Sequence, residues 1–391
     1  MVDSHYSFTR DEIAPVIVVS LISALRLLGI FLILPIFSVY AVRYPGATAA
    51  LAGIAFGVYA LVQSILQIPL GWASDRWGRK PVLMCGLALF VIGSIGCALA
   101  SDIYGLILGR TLQGTGAVGS VAFAALADLT GPNVRTQAYT ITGIAIGASF
   151  MVGLLAGPFL ASQIGIGGLF YLLAALGALS MILTVLWFPA MHPGGRAEAP
   201  LRLKPLLLHD HLRPIFIAAF VLSFALNLFF FTYPLSWTGI GLDKSDLWKV
   251  YTIIFLPSIL FVFPYMRRAE KEGRFRSPIL IGWLTATVGY GIYLFGAQYD
   301  LLLYVSGAAF IFGYSIYQPI LPAFLTRRVP ASGRGMASGV YNSFGFIGSS
   351  LGGILGGALI HISPALPELI GVVLLVLWFW LGLPIAPESN S

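Results

Sequence analysis

The chain has 391 residues, of which 58% are hydrophobic and only 9% are charged. A soluble domain uses roughly 25% charged residues to cover its surface, so this composition excludes a chain that faces water on all sides. The net charge of +7 does not indicate nucleic-acid binding, because the position of the basic residues along the chain is more informative than their number.

Twelve apolar stretches follow one another along the chain, each long enough to cross a bilayer, which takes about 20 residues for roughly 30 Å of hydrocarbon. The pattern predicts an all-α membrane protein with twelve transmembrane helices in a lipid bilayer. The predicted helices are 13–41, 50–70, 82–100, 103–127, 137–161, 168–188, 214–238, 248–266, 277–297, 301–325, 336–361 and 368–386.

The halves of the chain look like copies. Shifting the first half by 199 residues brings Gly114 onto Gly313 and Arg135 onto Arg334. Six helices separate the copies, so both have the same orientation, as in a parallel repeat. The predicted organisation is an N-terminus (1–12), a six-helix half (13–188), a linker rich in proline and glycine (189–212), a second six-helix half (213–386) and a tail (387–391).

Basic residues are distributed unequally between the loops. With the N-terminus inside, seventeen of the 22 Lys and Arg residues fall on the cytoplasmic side and three outside, namely Arg43, Lys244 and Lys249. The positive-inside rule then places both termini in the cytoplasm. We expect a multi-pass protein of the bacterial inner membrane.

Residues 71–80, GWASDRWGRK, form a charged loop between the second and third predicted helices. The glycines permit tight backbone at the helix ends, and Asp75 is placed to accept hydrogen bonds or to pair with an arginine across the interface between the halves. Such a charge cluster can hold one conformation closed and release it, whereas a plain charged turn that obeys the positive-inside rule is the alternative. The candidate gate residues are Gly71, Asp75, Arg76, Gly78, Arg79, Lys80, Asp128 and Arg135.

Two arginines, Arg26 and Arg110, lie inside predicted helices. An intramembrane arginine costs at least a few kcal/mol by insertion scales, so it usually faces a polar cavity; a purely structural arginine is the alternative. Other polar residues recur at helical spacing, and we expect them to line the cavity. The candidate substrate or coupling residues are Arg26, Tyr59, Gln63, Arg110, Gln113, Asn227, Tyr314 and Gln318.

The fifth predicted helix is rich in small residues, which let helices approach closely. They are Gly143, Gly147, Gly153, Gly157 and Pro158. No Asp or Glu falls deep within a predicted helix; all fifteen lie in termini, loops or helix ends. Either proton coupling uses Asp75, Asp128 or a histidine near a mouth, or the substrate itself supplies negative charge.

Four stretches, namely residues 26–35, 71–80, 110–116 and 128–130, resemble motifs of the major facilitator superfamily, and most of all its YajR-type drug/proton antiporter group. The resemblance implies the major facilitator fold and proton-coupled export of small organic compounds by alternating access, by a monomer without a cofactor. Transport of an organic anion through Arg26 and Arg110 is the alternative. We expect the extra C-terminal domain of that group to be missing.

Three other functions are alternatives to transport. An intramembrane enzyme lacks support, because a Gly does not follow Ser149 and the chain contains no His-Glu-x-x-His motif. A channel would not need paired halves, whereas a non-transporting sensor on the same fold stays open. His209 and His211 alone do not predict a metal site.

Overall fold

A computed structural model describes residues 8–116, 118–131, 134–189, 209–296, 298–329 and 334–382. Most of the predicted N-terminus 1–12, most of the linker 189–212 and the whole tail 387–391 lie outside the described residues. The described part of the chain consists of helices and short connections, without a strand.

The helices follow one another closely, with turns of a few residues between most of them. In chain order they are α1 (Arg10–Ile33), α2 (Phe37–Ala41), α3 (Ala49–Trp77), α4 (Arg79–Leu99), α5 (Ile103–Thr115), α6 (Gly119–Asp128), α7 (Arg135–Trp187), α8 (Arg213–Gly239), α9 (Leu247–Pro257), α10 (Phe263–Glu272), α11 (Arg276–Gly296), α12 (Asp300–Arg328), α13 (Arg334–Ile360) and α14 (Leu366–Gly382).

Within the described residues, nine helical segments are long and apolar enough to cross a membrane. One of them, Gln137–Trp187, has 51 residues and bends at Gly165, whose φ is 70°, so it crosses twice. The interrupted pair α5 and α6 supplies a further span, and so does the shorter apolar helix α14. The twelve predicted spans are therefore accounted for.

Three predicted helices are interrupted. The span predicted at 13–41 is broken into α1 and α2 at a turn around Pro35, and the span at 103–127 is broken at Gly116. The span at 248–266 contains the π-helical turn Ser258–Val262. Proline and glycine explain these breaks, because proline lacks the backbone donor and glycine is a poor helix former.

The described chain divides into two compact units. The first comprises residues 1–40, 44–46 and 58–198, and its core is built from apolar side chains of α1, α4, α6 and α7. The N-terminus of α1 is fixed to the end of α6, since Glu12 Oε1 accepts from the Gly131 amide at 2.8 Å.

The second unit comprises residues 41–43, 47–57 and 199–391. Its helices α8 and α13 pack at backbone distance, because a Cβ placed on Gly348 would lie 2.2 Å from the Phe220 carbonyl oxygen. The opposite end of α8 carries an aromatic cluster in which Tyr233 contacts Phe229, Trp237 and Tyr293. Aromatic packing therefore dominates this core.

Candidate functional site

A buried polar cluster lies inside the first unit, on helices α1, α3 and α5. Arg26 is 3% exposed and Arg110 is 5% exposed. Arg26 Nη2 donates to the Tyr59 hydroxyl at 3.2 Å, while the Arg110 guanidinium lies 4.7 Å from the centre of the Tyr59 ring. One tyrosine thus holds both cations, one through its oxygen and one through its π face.

A chain of hydrogen bonds runs from Arg110 on α5 to Ser94 on α4. Arg110 Nη1 donates to Gln113 Oε1 at 2.9 Å, and Gln113 Nε2 donates to Ser94 Oγ at 2.7 Å. Because residues three apart on a helix are neighbours, Gln113 fixes the direction of the arginine. Phe37 adds a second aromatic face to Arg110, at 5.2 Å.

Glycines bring these helices close enough for the cluster to form. A Cβ on Gly114 would lie 2.6 Å from the Tyr59 carbonyl oxygen, and one on Gly93 would lie 2.4 Å from the Gln113 amide nitrogen. Both distances are too short for any larger residue. The α5 backbone therefore approaches α3 and α4 only because these positions are glycine.

The other polar residues of α3 share the buried face of Tyr59. Gln63 and Gln67 are 2% and 3% exposed. Their side-chain carbonyl oxygens and Arg26 Nε have no hydrogen-bond partner within the described structure. Buried polar atoms are nearly always satisfied, so this face has hydrogen-bonding capacity available for a polar ligand.

The predicted residues of the second unit do not form one cluster. Asn227 Nδ2 donates to the Ser223 carbonyl and to Ser349 Oγ, both at 2.9 Å. Gln318 donates to the Tyr314 hydroxyl, and this pair lines a small cleft. Asn227 is thus engaged between α8 and α13, whereas the pair on α12 faces the cleft.

The predicted gate residues meet at Arg79. Gly78 has φ 93°, a conformation that favours glycine, and this turn places Arg79 beside the last turn of α3. Arg79 pairs with Asp75, and its Nε donates to Asp128 Oδ2 at 2.8 Å. One arginine of the first unit therefore joins α3, α4 and the end of α6.

The remaining loop residues have separate contacts. Lys80 Nζ donates to the carbonyls of Val185 and Phe188, each at 3.0 Å, and so holds the C-terminal end of α7. Arg76 lies 5.6 Å from the Trp72 ring, and Arg135 donates to the Thr130 carbonyl at 3.5 Å.

The expected tight backbone at Gly71 is wrong. This residue lies within α3, which extends to Trp77, and a Cβ there would have only one ordinary contact, with Ser120 at 3.8 Å. The boundary was misjudged because the amphipathic last turns of α3 contain the charged residues of the loop.

A charged segment of the second unit forms the last turns of α10. Arg268 Nε donates to Glu272 Oε1 at 2.8 Å, and this hydrogen bond lowers the pKa of the Glu272 carboxyl group. Both side chains are exposed. Among the contacts of the described residues, this pair forms no bridge between helices like the one that Arg79 forms with Asp75 and Asp128 (the Arg79 bridge) in the first unit.

The glycines of α7 divide into two pairs. A Cβ on Gly153 or Gly157 would lie 2.6 Å from Phe31 or 2.0 Å from the Leu32 carbonyl oxygen, so these two lie directly against α1. A Cβ on Gly143 or Gly147 would meet nothing within 4 Å. The predicted packing role is therefore wrong for Gly143 and Gly147.

Pro158 lies within α7, directly after Gly157, the residue that lies against Leu32 of α1.

One buried carboxylic acid escaped the sequence analysis. Glu368, in the first turn of α14, has no exposed surface. Its position at a helix end concealed its burial, because the sequence does not show that α8 and α11 cover this end of the helix. The expectation that buried carboxylates are absent is wrong.

The family model described as Major Facilitator Superfamily matches residues 19–243 and 215–391. The chain belongs to the major facilitator superfamily. The inner membrane transport protein YajR of Escherichia coli K12 is 32% identical over 90% of this chain and 79% of its own length. Both matches identify the chain as a multi-pass membrane transporter rather than an enzyme.

Two further proteins extend the comparison. The class G tetracycline resistance protein of Vibrio anguillarum is 30% identical over 73% of this chain and 65% of its own length. The crystal structure of the human organic anion transporter MFSD10 superposes with a TM-score of 0.70 at 18% identity, covering 95% of this chain and 100% of that one. The structural likeness supports the major facilitator fold.

Proposed function

We propose that this superfamily member exports small organic compounds in exchange for protons, by alternating access. Its similarity to tetracycline resistance proteins supports organic solutes as cargo. The observation that carries the proposal is the buried cluster around Tyr59, which combines two cations, two aromatic faces and amide groups. A site with apolar walls and few polar anchors suits amphipathic organic molecules.

Each part of the cluster has a proposed role. Arg110, held by Gln113, attracts the electron-rich part of the solute, and Arg26 orients Tyr59. The amides of Gln63 and Gln67 supply hydrogen bonds. Asn227, Tyr314 and Gln318 are assigned to the solute path in the second unit.

The Arg79 bridge is the proposed cytoplasmic gate. Exposed ion pairs contribute only about 0–1 kcal/mol each, which suits a contact that breaks and reforms in every transport cycle. Asp75 and Asp128 are 58% and 44% exposed, so water can reach both carboxylates. The bridge is therefore easily reversible.

We also propose a monomer in the bacterial inner membrane with both termini in the cytoplasm. The name of the YajR relative supports the location, and the loop distribution of Lys and Arg supports the orientation.

A second candidate function is transport of an organic anion. It is favoured by the burial of Arg26 and Arg110 in one cluster, because an arginine keeps its charge in proteins and binds carboxylates with two parallel hydrogen bonds.

The test is solute-dependent proton flux through the purified full chain in liposomes with an imposed pH gradient. The panel comprises tetracycline, tetraphenylphosphonium, glucose and succinate, each also tested on protein-free liposomes. Dissipation of the gradient by tetracycline or tetraphenylphosphonium supports proton-coupled export. Dissipation by succinate alone would replace it with anion transport, and no dissipation by any solute would contradict both.

A further inference from the structure

The second unit buries the carboxyl group of Glu368 among hydroxyl-bearing side chains. Thr232 of α8 lies beside it, and Tyr233, Tyr290 and Tyr293 are near enough to interact with its charge. A third helix, α13, also packs on α14. Its only titratable side chain between residues 336 and 360 is Tyr341, which lies near the end of α13 that is farther from Glu368 in the chain. We infer that Glu368 is a proton-binding site.

The donors nearest to the carboxyl group are the Thr232 hydroxyl and the backbone N–H of Glu368 itself. The Thr232 hydroxyl donates instead to the Leu228 carbonyl oxygen at 3.0 Å. Neither carboxyl oxygen has a hydrogen-bond partner within the described structure. The Thr232 oxygen retains lone pairs, which only the protonated form of Glu368 could use as an acceptor.

Two of the phenols direct their hydrogens elsewhere. Tyr290 donates to the Ala225 carbonyl oxygen at 2.5 Å. Ser306 donates to the Gly289 carbonyl oxygen at 2.7 Å, so in its 2.5 Å contact with Tyr233 the phenol is the donor.

Tyr293 follows the same rule. Ser236 donates to the Thr232 carbonyl oxygen at 3.2 Å, which leaves Tyr293 as the donor in the contact between the two hydroxyls. None of the three phenols therefore offers a hydrogen to Glu368.

The electrostatic setting favours the same protonation state. Among the groups that face Glu368 from the packed helices, none is a cation. An ionised carboxylate is costly when it is buried without a cation and the neighbouring hydroxyls donate elsewhere, whereas the neutral acid needs only one acceptor. Ionisation thus requires the surrounding hydroxyls to turn or the helices to admit water.

This requirement can link proton release to the transport cycle, and this link rests on the function proposed above. In one local arrangement Glu368 holds its proton; when the hydroxyls of α8 and α11 reorient toward it, the carboxylate is stabilised and the proton leaves. Glu368 would then be the group that couples the proton gradient to solute movement.

The first test is independent of transport. Infrared spectra of the purified full chain are compared between wild type, Glu368→Gln and the control Asp300→Asn, an exposed carboxylate in the first turn of α12. We expect a protonated carboxylic-acid band at neutral pH in wild type and control, and its loss in Glu368→Gln. The same band in Glu368→Gln as in wild type would overturn the proton-binding site.

The second test uses the first panel solute that the wild type carries. Glu368→Gln should lose accumulation driven by a pH gradient yet retain exchange of labelled for unlabelled solute at equal pH, while Asp300→Asn keeps both. Undiminished accumulation, or loss of exchange as well, would overturn the coupling role. If the wild type itself ignores the gradient, the proposed function fails, while the infrared result still decides the site.

Discussion

The first unit buries two arginines, whereas the second unit buries Glu368, a carboxylic acid that is neutral when it holds a proton and negative when it does not. Arginine keeps its charge in proteins, and the structure surrounds Arg26 and Arg110 with a phenol oxygen, aromatic faces and an amide. Glu368 is surrounded by hydroxyls whose hydrogens point away from it.

The two units therefore differ in the chemistry that they bury. Permanent cations are suited to attracting a solute, because their field does not depend on pH. A carboxyl group whose neighbouring hydroxyls donate elsewhere is suited to a switch, because a small rearrangement changes which form is stable. The proposed division of labour is therefore solute binding in the first unit and proton binding in the second.

The strongest challenge to this division is Arg110→Ala. The loss of a buried charge and of the Gln113 hydrogen bond should reduce solute transport by roughly a hundredfold, about 3 kcal/mol. The measurement is uptake into liposomes at matched protein content. The control is Arg274→Ala, which removes an arginine whose side chain is 82% exposed. Equal transport by the two variants would remove Arg110 from the solute site.

Asp75→Asn tests the proposed gate without changing a residue of either buried cluster. It removes one charge from the Arg79 bridge, so folding stability should change by no more than about 1 kcal/mol. Transport should nevertheless fall about tenfold if the bridge acts during the cycle.

Thermal unfolding and uptake are measured together for Asp75→Asn, with Asp246→Asn as the control, since Asp246 forms an exposed pair with Lys249. Normal uptake by Asp75→Asn would leave the bridge as a simple surface contact.

Gly157→Ala tests whether packing holds Arg26 in place. The added methyl group would lie 2.0 Å from the Leu32 carbonyl oxygen, so α1 must shift, at a cost of about 1–3 kcal/mol. Gly147→Ala, at a position without neighbours within 4 Å, should unfold at or slightly above the wild-type temperature. Similar unfolding temperatures for the two variants would contradict the packing at Gly157.

The smallest expected effect belongs to Tyr59→Phe. This variant removes the oxygen that accepts from Arg26 but keeps the ring under Arg110. Losing this hydrogen bond should cost about 1 kcal/mol of binding free energy and so weaken solute affinity about fivefold. Tyr104→Phe, at a side chain that is 64% exposed, is the control. A loss as large as that of Arg110→Ala would show that the phenol oxygen, rather than the ring, organises the cluster.

The sequence predicted the fold well because apolar length and loop charge are local properties. It also predicted that Arg26, Tyr59, Arg110 and Gln113 lie within the helices, since polar residues in apolar helices stand out, and the structure brings these four together in one buried cluster. It could not show that Arg79 bridges Asp75 and Asp128, because residues 75 and 128 are brought together only by tertiary packing.

The same limit explains two errors. Burial of Glu368 depends on α8 and α11, which lie far from it in sequence. The glycines of α7 have the same composition signal along the helix, yet only Gly153 and Gly157 face α1. Which glycines face α1 depends on how α7 is rotated about its own axis relative to α1, and the composition of α7 does not contain this information.

The most direct test of the division of labour is equilibrium binding of the first transported panel solute to purified protein at acidic and neutral pH. We predict that Arg110→Ala weakens binding by roughly a hundredfold at both pH values, and that Glu368→Gln binds the solute with an affinity that no longer depends on pH. Unchanged binding by Arg110→Ala, or a fully retained pH dependence in Glu368→Gln, would contradict the account.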